Sequence, residues 1–319
     1  MINESQPLVS VIFTSYNHHE FLKQALDSIV DQTYSNLEVI VIDDNSSDGS
    51  QEILKEYYGR SNVSLHLLEK NTGSYVKASN YGIPFAKGEF LMFAQCDDYA
   101  APEQIQELMK AFSIDEKIGV VYSRSNLVDE YNNILVDDFV GREKAFKANH
   151  YKNSIIPKHQ MRDYLTFSCV IPNLSAAIIK KDLYIKAGCL PKDYSMAADW
   201  ALWLNLSELT DFYYITKCLN NFRQHGTTIR SQTKIKVQIE EIYAIFYNHL
   251  KKYNITGKTK TKFKIGAASV WFAYFIENTK AAIISFPSVT SSLFKLEKFN
   301  LYYLFLGALK HMKEVLLKL

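Results

Sequence analysis

The sequence predicts an α/β protein, with a mostly parallel central sheet flanked by helices and a helical extension at the C-terminus. Three observations carry this expectation. Through the first 125 residues, short apolar runs alternate with helical patterns, a rhythm that gives parallel strands covered on both faces. Of 319 residues 47% are hydrophobic and 22% charged, so a core can be buried and disorder throughout is excluded. From about Val237 helical periodicity runs on to the end.

Each element has its own signal. Leu8–Thr14 is an unbroken apolar run and reads as a buried strand. His18–Asp31 puts Phe21, Leu22, Ala25, Leu26 and Ile29 on one helical face. Leu37–Ile42 is a second strand, and the polar turn Asp43–Gly49 offers Ser46 or Ser47 as N-cap for a helix reaching about Tyr58. Val63–Leu68, Glu89–Ala94 and Ile118–Tyr122 read as further strands, with a helix over Ser74–Ala86 and another opened by Pro102. The polar stretch Asp129–Met161 reads as an irregular surface insertion. Leu174–Asp182 reads as a strand, followed by a short helix capped by Gly188. Asp199–Leu209 is a helix with Trp200, Leu204 and Leu209 toward the core, and the terminal helical region breaks near 254–260 and 286–292.

Several classes fall away. Cys96, Cys169, Cys189 and Cys218 lie far apart, without the spacing of a zinc site or a disulfide framework. The start lacks the basic and apolar regions of a signal peptide, so a reducing cytoplasmic compartment is expected. The charge-free stretches Tyr164–Ile179 and Ala281–Phe294 each contain a proline and are shorter than the ~18–20 apolar residues of a spanning helix. Neither a G-x-G-x-x-G fingerprint nor a P-loop is present. The net charge of +2 is divided unevenly: residues 251–319 carry twelve lysines and three acids, an excess of nine, and residues 1–250 carry a deficit of seven. The acidic part argues against nucleic acid as a partner.

In parallel sheets ligands bind beyond the carboxyl ends of the strands. There the first strand places Thr14-Ser-Tyr-Asn17, the second Asp43-Asp44 and the fourth Gln95-Cys-Asp-Asp98. Turn and cap formation explains any one of these clusters, but a shared site explains all three.

The order Pro7–Asn17, Leu37–Gly49, Asn71-Thr-Gly-Ser, Gln95–Asp98, Asn173-Leu-Ser-Ala-Ala, Ala198-Asp-Trp-Ala-Leu-Trp-Leu204 and Phe222-Arg-Gln-His225 resembles glycosyltransferase family 2 over roughly residues 7–230. The resemblance implies a GT-A fold and inverting transfer of a sugar from a nucleoside-diphosphate sugar, most simply UDP-linked. It implies a catalytic domain over 1–230, with a nucleotide-binding half to about 125 and an acceptor-side half beyond, and it says little of 231–319. The acceptor it implies is a hydroxyl of a saccharide or lipid-linked saccharide in surface polysaccharide synthesis.

Residue by residue, Asp97 falls on the metal-binding acid of the DXD motif, with Gln95 in place of the first Asp and Asp98 beside it. Such a carboxylate suits Mn²⁺ or Mg²⁺, hard cations that offset charge on a departing diphosphate. Asp44 falls on the carboxylate that accepts from the base, and Asp43 beside it on sugar or structural contacts. Thr14 and Tyr16 fall where the first loop surrounds the nucleoside, Asn17 either there or at a helix cap, and Gly73 in the Asn-Thr-Gly-Ser element. Asp199 falls on the acid of a Glu-Asp-Trp signature, with Ala198 in place of Glu, and would deprotonate the acceptor or cap its helix. Arg223 and His225 match a Tyr-Arg-x-His element that would hold the diphosphate, His225 alternatively ligating the metal. The other histidines, His18 among them, are expected to be ordinary. Loss of acids at Gln95 and Ala198 also suits a non-catalytic nucleotide- or saccharide-binding scaffold.

The basic tail admits two readings. An apolar stripe from Leu301 to Leu319 suits a helix packed on the catalytic domain. Its lysines suit a peripheral contact with an anionic membrane surface, on the inner face of the cytoplasmic membrane.

Overall fold

The computed structural model describes residues 6–142, 144–226, 228, 233, 235–277 and 301–316. The order is β1 (Val9–Ser15), α1 (His19–Val30), β2 (Leu37–Asp43), α2 (Ser50–Lys55), β3 (Val63–Leu67), α3 (Tyr75–Gly82), β4 (Phe90–Gln95), β5 (Tyr99–Ala100) and α4 (Gln104–Ala111). Then come β6 (Ile118–Val128), β7 (Ile134–Asp137), α5 (Lys144–Asn149), β8 (Ser154–Ile156), α6 (Lys158–Leu165), β9 (Ala177–Lys180), α7 (Lys181–Ala187), α8 (Ala198–Leu206) and β10 (Asp211–Arg223). The chain continues with α9 (Ile235–Lys252), α10 (Gly257–Glu277) and α11 (Leu301–Leu316).

The described strands form one sheet, ordered β3-β2-β1-β4-β9-β6-β10-β5, with β7 added on β6 and β8 on β10. β1 is parallel to β2 and β4, β2 to β3, and β6 to β10, while β9 runs antiparallel to both β4 and β6. The chain starts at β1, moves outward through β2 and β3, and returns to β4 on the other side of β1. That reversal opens a crevice at the carboxyl ends of β1 and β4. Register brings Thr14 opposite Gln95 and Ser15 opposite Asp43, so the polar strand ends meet on one edge.

Alternation along the strands divides the core. Val11, Phe13, Val39, Val41 and Met92 pack with Leu22 and Leu26 of α1 and Ile105 and Leu108 of α4. Ile12, Ile40, Ile42, Leu91 and Phe93 pack with α6, α7 and α8, and with Ile239, Ile242, Tyr243 and Phe246 of α9. The first part of the helical extension therefore shares a core with the sheet.

Several boundaries differ from expectation for identifiable reasons. Ser46 is drawn to Asp43 and the N–H of Ser47 to Asn17, so α2 starts later, behind Gly49 with Asp48 accepting from Ser50 N. α3 gives way to a 3-10 turn at Ile83–Phe85, where Pro84 stands. Asp129–Met161 is not irregular: it holds β7, α5, β8 and the first half of α6, elements too short for a periodicity signal. Gly188 does cap α7, with φ 101°. Asn254, at φ 49°, ends α9, and the expected break at 286–292 lies outside the described residues. α11 reaches α10 through Gly307, where a Cβ would stand 2.5 Å from the Ala268 methyl, and it leaves Phe305, Leu309 and Met312 exposed. Among the described residues, no helix is long and apolar enough to cross a membrane.

Candidate active site

The crevice is a cleft of about 640 Å³. Thr14, Tyr16, Asn17 and His18 line it from the loop after β1, Asp44 after β2, Gly73 before α3, and Gln95 and Asp97 at the end of β4. Met196 and Asp199 enter from the start of α8, and Phe222 and Gln224 from the end of β10.

Asp44 is almost wholly buried and fixed in direction. One carboxylate oxygen accepts from Thr72 N at 2.7 Å, the other from Thr72 Oγ1 at 2.9 Å, and Asn71 donates to its backbone carbonyl at 2.9 Å. A carboxylate has about four lone-pair sites, so two stay available toward the cleft. Tyr16 is 45% exposed beside it, an aromatic face open to a base. Asn17 is no helix cap: it sits at φ 49°, accepts from Ser47 N at 2.9 Å and donates its N–H to Ser46 Oγ at 3.0 Å, tying the first loop to the second. Gly73, at φ 78°, adopts the left-handed conformation that glycine permits.

Asp43 does not reach the cleft. It is fully buried and accepts from Ser46 N, Ser46 Oγ and Gln51 Nε2, and so shapes the turn. Asp98 is also turned inward, accepting from Asn173 at 2.6 Å, Ser175 at 3.0 Å and Arg223 N at 3.1 Å. Burial, with the charge of Asp97 next to it, raises its pKa well above the usual carboxylate range.

Arg223 is likewise away from the cleft wall, 1% exposed. Its guanidinium donates to the carbonyls of Asp97, Asp129 and Glu130 and to Gln24 Oε1, under the rings of Phe21 and Tyr99. Strand alternation is the cause: Phe222 and Gln224 face the cleft, and Arg223 faces the interior. These donors are committed to acceptors of the fold itself, the Asp97 carbonyl among them, which leaves them unsuited to gripping a diphosphate.

His225 meets Asp97, with Nε2 3.2 Å from Oδ2. His18 completes the group: ligand atoms of His18, Asp97 and His225 all lie within 4.8 Å of one another. His18 Nδ1 lies 2.8 Å from the Tyr16 carbonyl and is assigned as the donor there, and its buried Nε2 has no hydrogen-bond partner. A neutral imidazole held by one nitrogen with the other available is the usual posture of a metal ligand. Two imidazoles and a carboxylate fit a divalent transition ion such as Mn²⁺ better than all-oxygen Mg²⁺. Sequence reading missed His18 because the three ligands come from separate loops and follow no spacing rule. Its place directly after the polar end of β1 was the one available signal.

Asp199 sits in the first turn of α8, its Oδ1 accepting from Trp200 N at 2.7 Å. The Tyr75 hydroxyl lies against the N–H groups of Ala198 and Asp199, and burial raises its pKa well above the ordinary tyrosine value.

Residues 10–186 match Glycosyl transferase family 2. An uncharacterized glycosyltransferase of Rickettsia typhi is 28% identical over 78% of this chain and 74% of its own length. A hyaluronan synthase of Pasteurella multocida is 26% identical over 78% of this chain, which spans only 24% of that synthase. Among solved structures, S. aureus TarS 1–349 in complex with UDP-GlcNAc superposes with a TM-score of 0.66 at 18% identity, covering 95% of this chain and 88% of that one. A mannosyltransferase of Pyrobaculum calidifontis in complex with GDP-Man and Mn²⁺ gives 0.53 at 16% identity, over 97% of this chain and 88% of that one. The fold implied by the first resemblance, GT-A with a helical C-terminal region, is the fold observed.

Proposed function

Because the chain belongs to glycosyl transferase family 2, we propose that it transfers a hexosyl or N-acetylhexosaminyl group, with inversion, from a UDP-linked donor to a saccharide or lipid-linked saccharide hydroxyl. The observation that carries this reading is one cleft lined by Asp44, Tyr16, His18, Asp97 and Asp199, with His225 set against Asp97 and His18 at its wall. In it Asp44 accepts the N3–H of uracil, Tyr16 stacks on the base, and Gln95 bonds the ribose. Thr14, Asn17 and Gly73 shape the loops around the nucleoside. His18, Asp97 and His225 hold Mn²⁺, which when bound offsets the charge of the diphosphate. Asp199 takes the proton from the acceptor hydroxyl as it attacks the anomeric carbon from the face opposite the leaving group. The UDP-GlcNAc bound to TarS supports a UDP-linked donor, and the hyaluronan and chondroitin synthases among the relatives support a saccharide product.

The extension from residue 231 packs on the catalytic domain through α9 and meets the inner membrane surface through its lysines and the exposed face of α11.

Thermal shift across UDP-, GDP- and dTDP-sugars, with and without Mn²⁺, tests the donor. A ligand at 100 times its dissociation constant stabilises by about 2.7 kcal/mol, so the matching nucleotide stands out. His18→Ala should abolish the Mn²⁺-dependent part of the UDP shift. No shift with any nucleotide refutes the transferase reading, and a shift without turnover favours the scaffold.

A further inference from the structure

We infer that Glu241, on α9, is a positioning residue that sets the start of α8 and through it the carboxylate of Asp199. The inference rests on the reading in which Asp199 is the base, and deepens it. The start of α8 has no capping side chain of its own: Ala197 and Ala198 stand where Ser, Thr, Asp or Asn is usual. The leading N–H groups of a helix must still be satisfied. Glu241 meets the one on the cap residue Ala197, and with it the N–H groups of Ser195 and Met196 in the segment that leads into the helix, from 44 to 46 residues away. Its Oε1 accepts from Ser195 N at 2.7 Å and Ser195 Oγ at 2.5 Å, and its Oε2 from Met196 N at 2.9 Å and Ala197 N at 3.0 Å.

The carboxylate is nearly buried, and an anion at this end of a helix is favoured by the helix dipole. Its own position is held by Ile239, Ile242 and Phe246 of α9 in the shared core, with the Phe246 ring 5.7 Å from Trp200. Tyr75 supplies the next neighbour, at the N–H groups of Ala198 and Asp199. Glu241 thus fixes the lead-in to α8 and Tyr75 meets its first two N–H groups, while Asp199 accepts from Trp200 N; Met196 and Asp199 line the cleft. The acid missing at Ala198 is matched by one from the C-terminal extension, which makes that extension part of the active site's framework.

The test uses the full chain with Glu241→Gln, Glu241→Asp and, as a control on an exposed side chain of α9, Tyr247→Ala. A Gln amide must turn its NH₂ either against the N–H groups of Met196 and Ala197 or against that of Ser195, where only the hydroxyl can turn to accept, so each orientation loses at least one backbone hydrogen bond. In Glu241→Gln the amides of residues 195–199 should exchange at least about tenfold faster. Calorimetry should find UDP affinity in Mn²⁺ within about twofold of wild type. UDP release from UDP-GlcNAc should lose kcat by about 10- to 100-fold with KM little changed, the scale of a ~1 Å misplacement. Glu241→Asp should fall between, and it carries the test with the same readouts if the Gln variant does not fold. Unchanged exchange overturns the inference, as does faster exchange with wild-type kcat. Exchange decides the hold of Glu241 even when no donor is turned over, and that outcome refutes the transferase reading alone.

Discussion

Arg223→Lys separates a diphosphate ligand from a structural clamp. The guanidinium reaches four acceptors: Asp97 O at 2.9 Å, Asp129 O at 3.1 Å, Glu130 O at 3.3 Å and Gln24 Oε1 at 2.8 Å. An ammonium keeps the charge but presents its donors from one atom and cannot span this set. Hydrogen bonds to a charged group contribute about 1.5–3 kcal/mol each and are not additive, and a buried charge stripped of partners costs about 3–5 kcal/mol. We therefore expect a loss of about 4 kcal/mol, a large part of the ~5–15 kcal/mol that holds a domain folded. At a urea m-value of about 3 kcal/mol/M the midpoint should fall by about 1.3 M, read by circular dichroism. UDP affinity in Mn²⁺, measured under folding conditions, should weaken only through the displaced backbone of Asp97. An unchanged midpoint with UDP affinity lost would refute the clamp and return Arg223 to the diphosphate.

Asp199→Asn should bind UDP and Mn²⁺ as wild type yet lose transfer by about 10²-fold or more, and near-normal turnover with a working acceptor would remove Asp199 from the mechanism. His150 and His249 are buried, and burial holds both below 6.5, for His249 against the pull of Glu208. Their unfolded forms take up protons first as pH falls, so stability is full above about pH 6.5 and declines below it. Melting temperature should drop between pH 7.5 and 5.5, with a smaller drop in His249→Gln; equal slopes would contradict this. Flotation should find the chain with anionic liposomes and not neutral ones. Release should be partial in 1 M salt, where the Debye length is ~3 Å, because apolar contacts resist screening; equal, negligible flotation with both liposomes would leave the tail a packing subdomain.

The fold was legible because its central strands are apolar on both faces and end in polar clusters, as β1 and β2 do. Thr14, Tyr16, Asp44, Gln95, Asp97 and Asp199 were placed by that pattern and by family resemblance, and all of them line the cleft. Asp43, Asp98 and Arg223 come from the same motifs but face inward. A motif names neighbours in the chain, while the pleat decides which of them meets solvent. His18 and Glu241 were hidden for the opposite reason. Their partners are remote in the chain, and a lone histidine or glutamate carries no periodicity. The region 129–161 was misread because β7 and β8 owe their existence to pairing with β6 and β10, not to their own residues.

The strand order also has a consequence for biosynthesis. β4, the apolar segment Phe-Leu-Met-Phe-Ala-Gln, is flanked by β1 and β9, and β9 is made about 80 residues later. At ~5–20 residues per second, β4 stands as an open edge for about 4–16 s as the chain leaves the ribosome. Such an edge, uncharged and rich in large side chains, invites pairing with other nascent chains. The chain is exposed to this hazard until residue 180 emerges, and the Gln24–Arg223 link, spanning 199 residues, closes later still. A fragment that stops near residue 125 keeps the nucleotide-facing strands but leaves β4 permanently uncovered. It should therefore accumulate as aggregate, whereas a chain that runs past β9 should stay in solution.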